Sequence, residues 1–466
     1  MKKLTLLFIL IVTFVQTSYA LDIVYPKKQK LTINAQSTFF VGNTKQGSNL
    51  TINNKPVKLW DEGGFVHVVP LTYGTNIIRI KSIKNKKKEE ITYKITRNKL
   101  ATNTNIKKEP FIAKKENTAL YTKTKNENST IRENSNQKSQ RIIDINENIV
   151  LYLSGKQGEY YKIEEKGTTN FWIHESNVEK PVTLTKRIPA IITKREDYSD
   201  NLFEYTKIKI SHPVLYTIKN ENNIITTTLY GAKEKDKNQT EDNYTFSHVH
   251  TAPVLGYEGY YENGYFILKR AKLPNIISTE KPLKGIKIFV DAGHGGSAKG
   301  AVGPTRKNEK DINLSICKKL INLLQEDGAI VSYSRIDDTN PDLYERVKIA
   351  KQNEALISLS IHNNSLPNGK DPYIQHGTEV HYYNDNAKEL GEIIKNNLVR
   401  DLNLKDNGLK KSSFALNRST YPISLLVEVA YMINPPEYKL LQNDKFQTNV
   451  AKSIKKSLEE YIISLK

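Results

Sequence analysis

From residue 284 to the C-terminus, short apolar runs alternate with longer amphipathic segments, in which apolar residues recur every three or four positions. Strands that alternate with helices form an α/β domain with a mainly parallel sheet. We therefore predict such a domain over residues 284–466, with a capping box of Asp444 and Gln447 at the start of its last helix. The predicted strands are Ile286–Val290, Ile330–Ser334, Leu356–Ile361, Thr378–Tyr383 and Leu425–Val429, and the predicted helices are Lys310–Asp327, Leu343–Asn353, Ala387–Leu402 and Asp444–Ile463.

Four titratable side chains fall at the ends of these predicted elements. His294 closely follows the first strand, His362 directly follows the third, and Glu428 lies near the end of the last. Ligands of open α/β sheets bind beyond the carboxyl ends of the strands, so we expect these three side chains to share one crevice. Glu309 comes just before a predicted helix, where the helix dipole favours a carboxylate.

These residue types are suited to zinc chemistry. Two imidazoles and one carboxylate, here His294, His362 and Glu309, leave the fourth position of a tetrahedral zinc ion open for water. Zinc lowers the pKa of that water towards about 7 and polarises an amide carbonyl. Glu428 is then placed to take the proton of the water and pass it to the leaving amine. Each residue taken singly also has a structural explanation, although a carboxylate after Leu425–Val427 has the weakest one.

Short motifs surround these four residues within residues 286–463. The motifs are Asp291–Gly296, Gly300–Gly303, Glu309-Lys310 with Leu314, Ser334–Asp338, Leu343 with Arg346 and Ala350, Ser360–Asn364, and Pro422 with Leu425 and Glu428. Together they resemble the catalytic domain of the zinc N-acetylmuramoyl-L-alanine amidases of the amidase-3 type. The resemblance implies that His294, Glu309 and His362 bind zinc and that Glu428 is the catalytic acid and base. It also implies a peptidoglycan substrate, cut between N-acetylmuramic acid and the L-alanine of the stem peptide.

The chain departs from the pattern of this family at two places. Asn363 stands where a small residue is usual, and Val429–Tyr431 replaces a frequent Leu-Gly-Phe. Some relatives carry a long insertion after the second histidine that forms a helix and plugs the site. Only Asn363–His376 separates His362 from Gly377 here, so we expect no such plug.

Other polar residues of this domain receive structural interpretations. His381 is expected on the surface of the sheet, with a direct role in the site as the alternative. Arg335 and Arg346 are expected to pair with acidic neighbours, and Cys317 is expected to pack inside a helix. Two further functions remain open from the sequence: a wall-binding scaffold with an inactive amidase fold, and a zinc peptidase that cuts within the stem peptide.

The front part of the chain reads as small all-β domains. Residues 21–97 resemble bacterial immunoglobulin-like sandwiches, and residues 142–180 resemble an SH3-like module, with Trp172 in its core. Residues 98–141 have few large apolar side chains, which predicts a flexible linker. Residues 181–280 are predicted to form a further β-rich domain that targets the cell wall, with a half-buried strand at Thr206–Ile210. His248 and His250 share one face of a strand there, as a polar surface or, alternatively, as metal ligands.

The N-terminus predicts export. Residues 1–20 contain two lysines, a short apolar run and a small-x-small site at Ser18–Ala20, as in a signal peptide; an uncleaved anchor is the alternative. No later run is apolar enough for stable insertion into a membrane, so we expect a periplasmic or wall-associated protein. The net charge is +20, but residues 283–466 hold 26 basic and 22 acidic side chains. The basic excess therefore lies in the front part, where it favours anionic wall polymers as partners; a genome that encodes lysine wherever the protein surface tolerates it is the alternative. Nucleic acid is not expected.

Overall fold

The first domain is built from two facing sheets. The computed structural model describes residues 21–99, 109–167, 170–236, 243–251, 254–274 and 278–465, so the predicted signal peptide lies outside it. β1, β3 and β6 form one sheet, and the other has the order β2-β8-β7-β4-β5. Phe40 and Phe65 from the first sheet meet Ile80 and Ile95 from the second in a fully buried core. The strands are β1 (Asp22–Tyr25), β2 (Lys30–Thr32), β3 (Ser37–Asn43), β4 (Asn49–Ile52), β5 (Lys55–Pro56), β6 (Gly64–Pro70), β7 (Gly74–Lys84) and β8 (Lys87–Arg97).

The central strand β3 is buried along almost its whole length, on both faces. Phe40 points into the core of its own sandwich, whereas Phe39 and Val41 belong to a separate apolar cluster. A strand covered on both faces shows a continuous apolar run and no alternation. Phe39–Val41 is such a run, and it is not among the predicted strands.

The second unit is an eight-stranded sheet, and it corrects the linker prediction. Its order is β12-β11-β15-β14-β13-β10-β16, with β9 paired to β13. The linker expected at 98–141 is wrong for residues 109–141, which contain three whole strands; residues 100–108 lie outside the described part. Ile131 from this stretch is fully buried, and Trp172 is buried as expected. The strands are β9 (Phe111–Ala113), β10 (Ala119–Lys123), β11 (Ser129–Arg132), β12 (Arg141–Ile145), β13 (Val150–Gln157), β14 (Tyr160–Ile163), β15 (Trp172–His174) and β16 (Val182–Leu184).

The third unit shares its hydrophobic core with the second. Ile131 and Leu153 from the eight-stranded sheet belong to one buried cluster with Ile208 and Phe266. The half-buried strand expected at Thr206–Ile210 is present, because inward and outward residues alternate along it. Two sheets make up the unit, in the orders β21-β17-β18-β24-β23 and β19-β20-β22. The strands are β17 (Ala190–Ser199), β18 (Phe203–Ile210), β19 (Tyr216–Glu221), β20 (Ile224–Tyr230), β21 (Ala232–Glu234), β22 (Asn243–Val249), β23 (Gly256–Glu262) and β24 (Tyr265–Ala271).

The α/β domain contains a six-stranded sheet between helices. Its order is β26-β25-β27-β30-β28-β29; neighbouring strands are parallel except β30 and β28, which are antiparallel. The predicted helices and strands are present, but β29 and α4 were not predicted. The elements are β25 (Lys287–Ala292), α1 (Glu309–Glu326), β26 (Ile330–Tyr333), α2 (Leu343–Gln352), β27 (Ile357–Asn364), β28 (Thr378–Tyr382), α3 (Lys388–Leu402), β29 (Asp406–Lys411), β30 (Ile423–Tyr431), α4 (Pro435–Leu441) and α5 (Asp444–Ser464).

Two local features of this domain bear on the predictions. The side chain of Asn443, and not that of Asp444, caps α5 by accepting from the N–H of Phe446. Gln447 instead donates to the carbonyl of Leu441, so the expected capping box is wrong. Cys317 packs inside α1 with 1% exposure, as expected.

In the described part of the chain, no helix is both long and apolar enough to cross a membrane.

Candidate active site

Three of the predicted site residues converge at the carboxyl edge of the parallel strands. Glu309 Oε2 lies 3.1 Å from His294 Nε2, and Glu309 Oε1 lies 2.9 Å from His362 Nδ1. One ligand atom from each residue lies within 4.8 Å of the other two. The side chain of Glu309 is buried, whereas that of His294 is about one third exposed. The cluster can therefore hold a small ion and remain open to a substrate on one side.

Glycines make room for this cluster. His294 itself has a left-handed backbone, with φ +64°. A Cβ on Gly293 would lie 2.2 Å from His362 Cε1, and a Cβ on Gly300 would lie 2.3 Å from Glu309 Oε2. Any other residue at either position would push a candidate ligand out of place. The donor chemistry and this close packing both fit a zinc ion.

Glu309 is oriented by several hydrogen bonds. It is the first residue of α1, and its carboxylate accepts from the N–H groups of Ala301 at 2.8 Å and Asn363 at 3.2 Å. Burial raises the pKa of Glu309, but hydrogen bonds to His294 and His362 outweigh burial and hold it well below its usual range. Glu309 therefore stays ionised, as a metal ligand must be.

A buried pair of asparagines supports Glu309, and sequence reasoning missed one of them. Asn313, one turn further along α1, donates to Glu309 Oε1 at 3.2 Å and is fully buried. Asn363 donates in turn to Asn313 Oδ1 at 2.7 Å. The departure from the family pattern at Asn363 thus places a polar side chain where Asn313 can use it. The spacing of four residues between Glu309 and Asn313 was the available signal.

Two buried arginines fix the loop that carries His294. Arg346 pairs with Asp291 at 2.7 Å, as predicted, and also donates to the carbonyl of His294 at 3.0 Å. Arg335 does not pair with an acid in this way; it donates to the carbonyls of Ala292 and Gly293. Both arginines therefore position the backbone of this loop, because their guanidinium groups donate hydrogen bonds to its carbonyl groups.

Glu428 lies beside the cluster with an uncompensated carboxylate. Its backbone is the register partner of His362 on the neighbouring strand. No residue that the structure describes donates a hydrogen bond to Glu428 Oε2, which is closed off from solvent. Burial raises the pKa of Glu428 to about 8. A carboxyl group that can take and release a proton near neutral pH is suited to acid–base catalysis.

The neighbouring acid Glu379, in contrast to Glu428, has several partners for its carboxylate and a lowered pKa. It accepts hydrogen bonds from Tyr431 and Asn407, and it pairs with Lys410 at 2.8 Å and His381 at 3.3 Å. Although burial raises the pKa of Glu379, these partners lower it to about 2. His381 thus belongs to the surroundings of Glu379, and it is buried and not on the surface of the sheet as expected.

Two further predictions concern a plug over the site and a second metal site. The segment 365–377 after β27 lies wholly in the described part and contains no helix, in line with the expected absence of a plug. His248 and His250 are elsewhere, in the third unit, where His248 Nε2 is 2.8 Å from Thr206 Oγ1. Among the described residues, only His294, Glu309 and His362 form a group of three potential metal ligands.

Comparisons with known proteins match the α/β domain. A family model for N-acetylmuramoyl-L-alanine amidase matches residues 288–460. The germination-specific N-acetylmuramoyl-L-alanine amidase of Bacillus subtilis is 33% identical over 201 residues, which cover 39% of this chain and 81% of that protein. N-acetylmuramoyl-L-alanine amidase LytC of Bacillus subtilis is 34% identical over 179 residues, which cover 38% of this chain and 35% of that protein. The solved amidase AmiC2 of Nostoc punctiforme is 32% identical and has a TM-score of 0.37, over 39% of this chain and 99% of that one.

Proposed function

The chain belongs to the amidase-3 family of N-acetylmuramoyl-L-alanine amidases, and from this membership we propose how its residues carry out the reaction. The enzyme hydrolyses peptidoglycan at the amide between N-acetylmuramic acid and L-alanine. His294, Glu309 and His362 would hold a zinc ion. When bound, zinc supplies a Lewis acid that polarises the scissile carbonyl and makes water acidic enough to react at neutral pH. The convergence of these three side chains within 4.8 Å is the observation that supports the proposal.

Glu428 would act as the general base and then as the general acid. Its Oε2 accepts no hydrogen bond from any described residue, so it is available to accept a proton from the attacking water. Protonated Glu428 then donates that proton to the amine of the leaving L-alanine. Burial keeps the carboxyl group away from competing bulk water, which favours the protonated form between the two steps.

Two other functions of this domain predict different results. A wall-binding scaffold would bind peptidoglycan without zinc, and a zinc peptidase would cut within the stem peptide. The complete, hydrogen-bonded ligand set supports the amidase over the scaffold. The test is to digest purified wall with the full chain and to identify the products by mass spectrometry, alongside metal analysis. We expect one zinc per chain and free stem peptides that begin with L-alanine; truncated stem peptides, or no zinc and no products, would overturn the proposal.

The parts in front would bring the enzyme to its substrate. We propose that residues 1–20 act as a signal peptide and that the mature protein works in the periplasm or cell wall. The two-sheet domain 21–97 is compatible with an immunoglobulin-like module, and residues 142–180 with part of an SH3-like one. Residues 181–280 would target the wall. The basic excess in these parts supports binding to peptidoglycan and to anionic wall polymers.

A further inference from the structure

One face of the first domain lies on the α/β domain and is not exposed to solvent. Phe39, Val41 and Val66, from β3 and β6, pack there with Ile433 of the α/β domain, and all four are at most 3% exposed. Val302 and Leu366 of the α/β domain add to this group, which we call the interdomain cluster.

Each residue that the α/β domain contributes to the interdomain cluster comes from a segment that carries a site residue. Val302 follows Ala301, whose N–H donates to Glu309. Leu366 lies shortly after His362, in the segment that follows β27. Ile433 lies shortly after Glu428, just beyond the end of β30. The cluster therefore joins the three segments around the candidate active site.

Polar contacts surround the interdomain cluster. They connect the first domain to two loops of the α/β domain, residues 300–306 and 365–376, which contain Val302 and Leu366. Asp22 forms a two-fold hydrogen-bonded ion pair with Arg306, and Asn43 donates to the carbonyl of Pro304 at 2.9 Å. In the other loop, the contacts are Thr38 Oγ1 to Asn368 Oδ1 at 2.8 Å, Gly369 N to the carbonyl of Ser37 at 2.9 Å, and Tyr373 Oη to the carbonyl of Val66 at 2.9 Å.

We propose that the first domain is a positioning element of the catalytic unit, which holds loops 300–306 and 365–376 in the conformation that the site needs. Neither loop contains a helix or strand in the described structure. Each is held by contacts within its own domain, such as Thr305 Oγ1 to Tyr438 Oη at 2.8 Å and His376 Nδ1 to Glu437 Oε1 at 2.7 Å, and by the contacts with the first domain. A site is effective only when such supports hold it to within a fraction of an ångström. The inference rests on the proposed zinc hydrolysis, but it assigns the domain a role separate from attachment to the wall.

The role can be tested with the full chain on a soluble disaccharide–peptide fragment of peptidoglycan, for which attachment to a surface is irrelevant. The main variant is Phe39→Ser, which removes the largest side chain of the interdomain cluster. The matched control is Ile77→Ser, on the exposed side of β7 in the other sheet of the same domain. A second variant, Asp22→Asn, changes a residue at the rim of the interface and leaves the domain core intact. It keeps the test valid if Phe39→Ser unfolds the first domain. Hydrogen exchange of both loops and zinc loss to a chelator are measured together with turnover.

We expect Phe39→Ser to speed up amide exchange in both loops, to release zinc faster, and to lower kcat by about tenfold or more, because small misplacements are costly. Asp22→Asn should shift the same readouts less, mainly in loop 300–306, and Ile77→Ser should match the wild type. If Phe39→Ser and Asp22→Asn both keep the amide exchange rates in the loops and the turnover of the wild type, the inference is overturned. The domain would then serve only to attach the enzyme to the wall. An inactive, zinc-free wild type would instead refute the proposed hydrolysis, and loop exchange would still test the positioning role.

Discussion

Glu379 and Glu428 lie directly opposite each other on the antiparallel strands β28 and β30; among the described residues, Tyr431 and Lys410 bond to Glu379, whereas no donor reaches Glu428 Oε2. Burial is the main cause that raises the pKa of Glu428, and the negative charges of Glu309 and then of Glu379 raise it further. The surroundings of two adjacent carboxyl groups thus push their pKa values apart, a pattern that separates a structural acid from a catalytic one.

Glu428→Gln should abolish proton transfer without disturbing the fold, because glutamine has the same shape. We expect kcat to fall by about 10² to 10⁴, the usual contribution of a general acid or base, while binding to purified wall persists. Peptide release from wall, measured by mass spectrometry, and pull-down on wall give the two readouts. The control is Glu326→Gln, at an exposed position on α1. If the kcat of Glu428→Gln lies within threefold of the kcat of this control, the assigned role is contradicted.

Arg346→Met should destabilise the α/β domain strongly, since it leaves Asp291 charged and buried. Both side chains are at most 2% exposed, and loss of one partner of such a pair costs about 3–5 kcal/mol. Calorimetry of the full chain measures the effect. Arg400→Met, which breaks an exposed pair with Asp401, should cost about 1 kcal/mol or less. The double variant Asp291→Asn with Arg346→Met should recover part of the loss; equal costs for both arginines would count against this account.

Asn313→Ala should weaken zinc binding without removing a ligand. Partners that orient metal ligands typically contribute about 10- to 100-fold in affinity, and Asn313 donates a hydrogen bond to Glu309, a proposed ligand. Competition with a chelator gives the zinc dissociation constant. Asn397→Ala on α3 removes another buried asparagine, bonded to Ser457 far along the chain, and should leave zinc affinity unchanged. Identical affinities in the two variants would show that Asn313 does not support the site.

Gly300→Ala should destroy the metal site, whereas Gly74→Ala should not. Both glycines have a left-handed backbone, with φ +67° and +88°, so both alanines carry a similar strain of about 1–2 kcal/mol. Only at Gly300 would the new Cβ strike a ligand, since no atom lies within 4 Å of a Cβ on Gly74. Metal analysis of both purified variants is the measurement. Stoichiometric zinc in Gly300→Ala would mean that the close packing around Glu309 is dispensable.

Glu165 should make the second unit less stable at higher pH. Burial raises its pKa in the folded state to about 7, above its ordinary value of 4.5 and in spite of Arg187. Between these values the folded state keeps a proton that the unfolded state releases, so the contribution of Glu165 to stability is largest below about pH 4.5 and is lost as the pH rises through 7. In calorimetry at pH 5 and pH 8, Glu165→Gln should lose less stability than the wild type. Glu127→Gln, at an exposed position, should behave like the wild type.

The sequence placed the α/β domain and its polar residues well because both signals are local. Periodicity identifies α1 and β27, and His294, His362 and Glu428 each come near the end of a predicted strand. The direction of β28 was not accessible in this way, since it depends on which neighbour the strand joins. β29, Asp406–Lys411, has only one large apolar residue and lies at the edge of the sheet, so it gave no strand pattern.

The errors in the front part have a different cause. Residues 109–141 have few large apolar side chains, but Ile131 and the strands around it complete a core supplied mostly by other segments. The continuous burial of β3 likewise depends on the α/β domain, which follows it by more than two hundred residues. A pattern that reports burial cannot reveal which distant part of the chain provides the cover.

The isolation of Cys317 has a practical consequence. As the only cysteine of the chain, buried in α1 with its thiol pKa raised by burial, it should react slowly with thiol reagents. A spectroscopic label can then be attached to one new surface cysteine in each of two units, without first replacing the native one. Label-to-label distances measured this way, in solution and on whole cells, would follow the spacing between the units while the protein is at work.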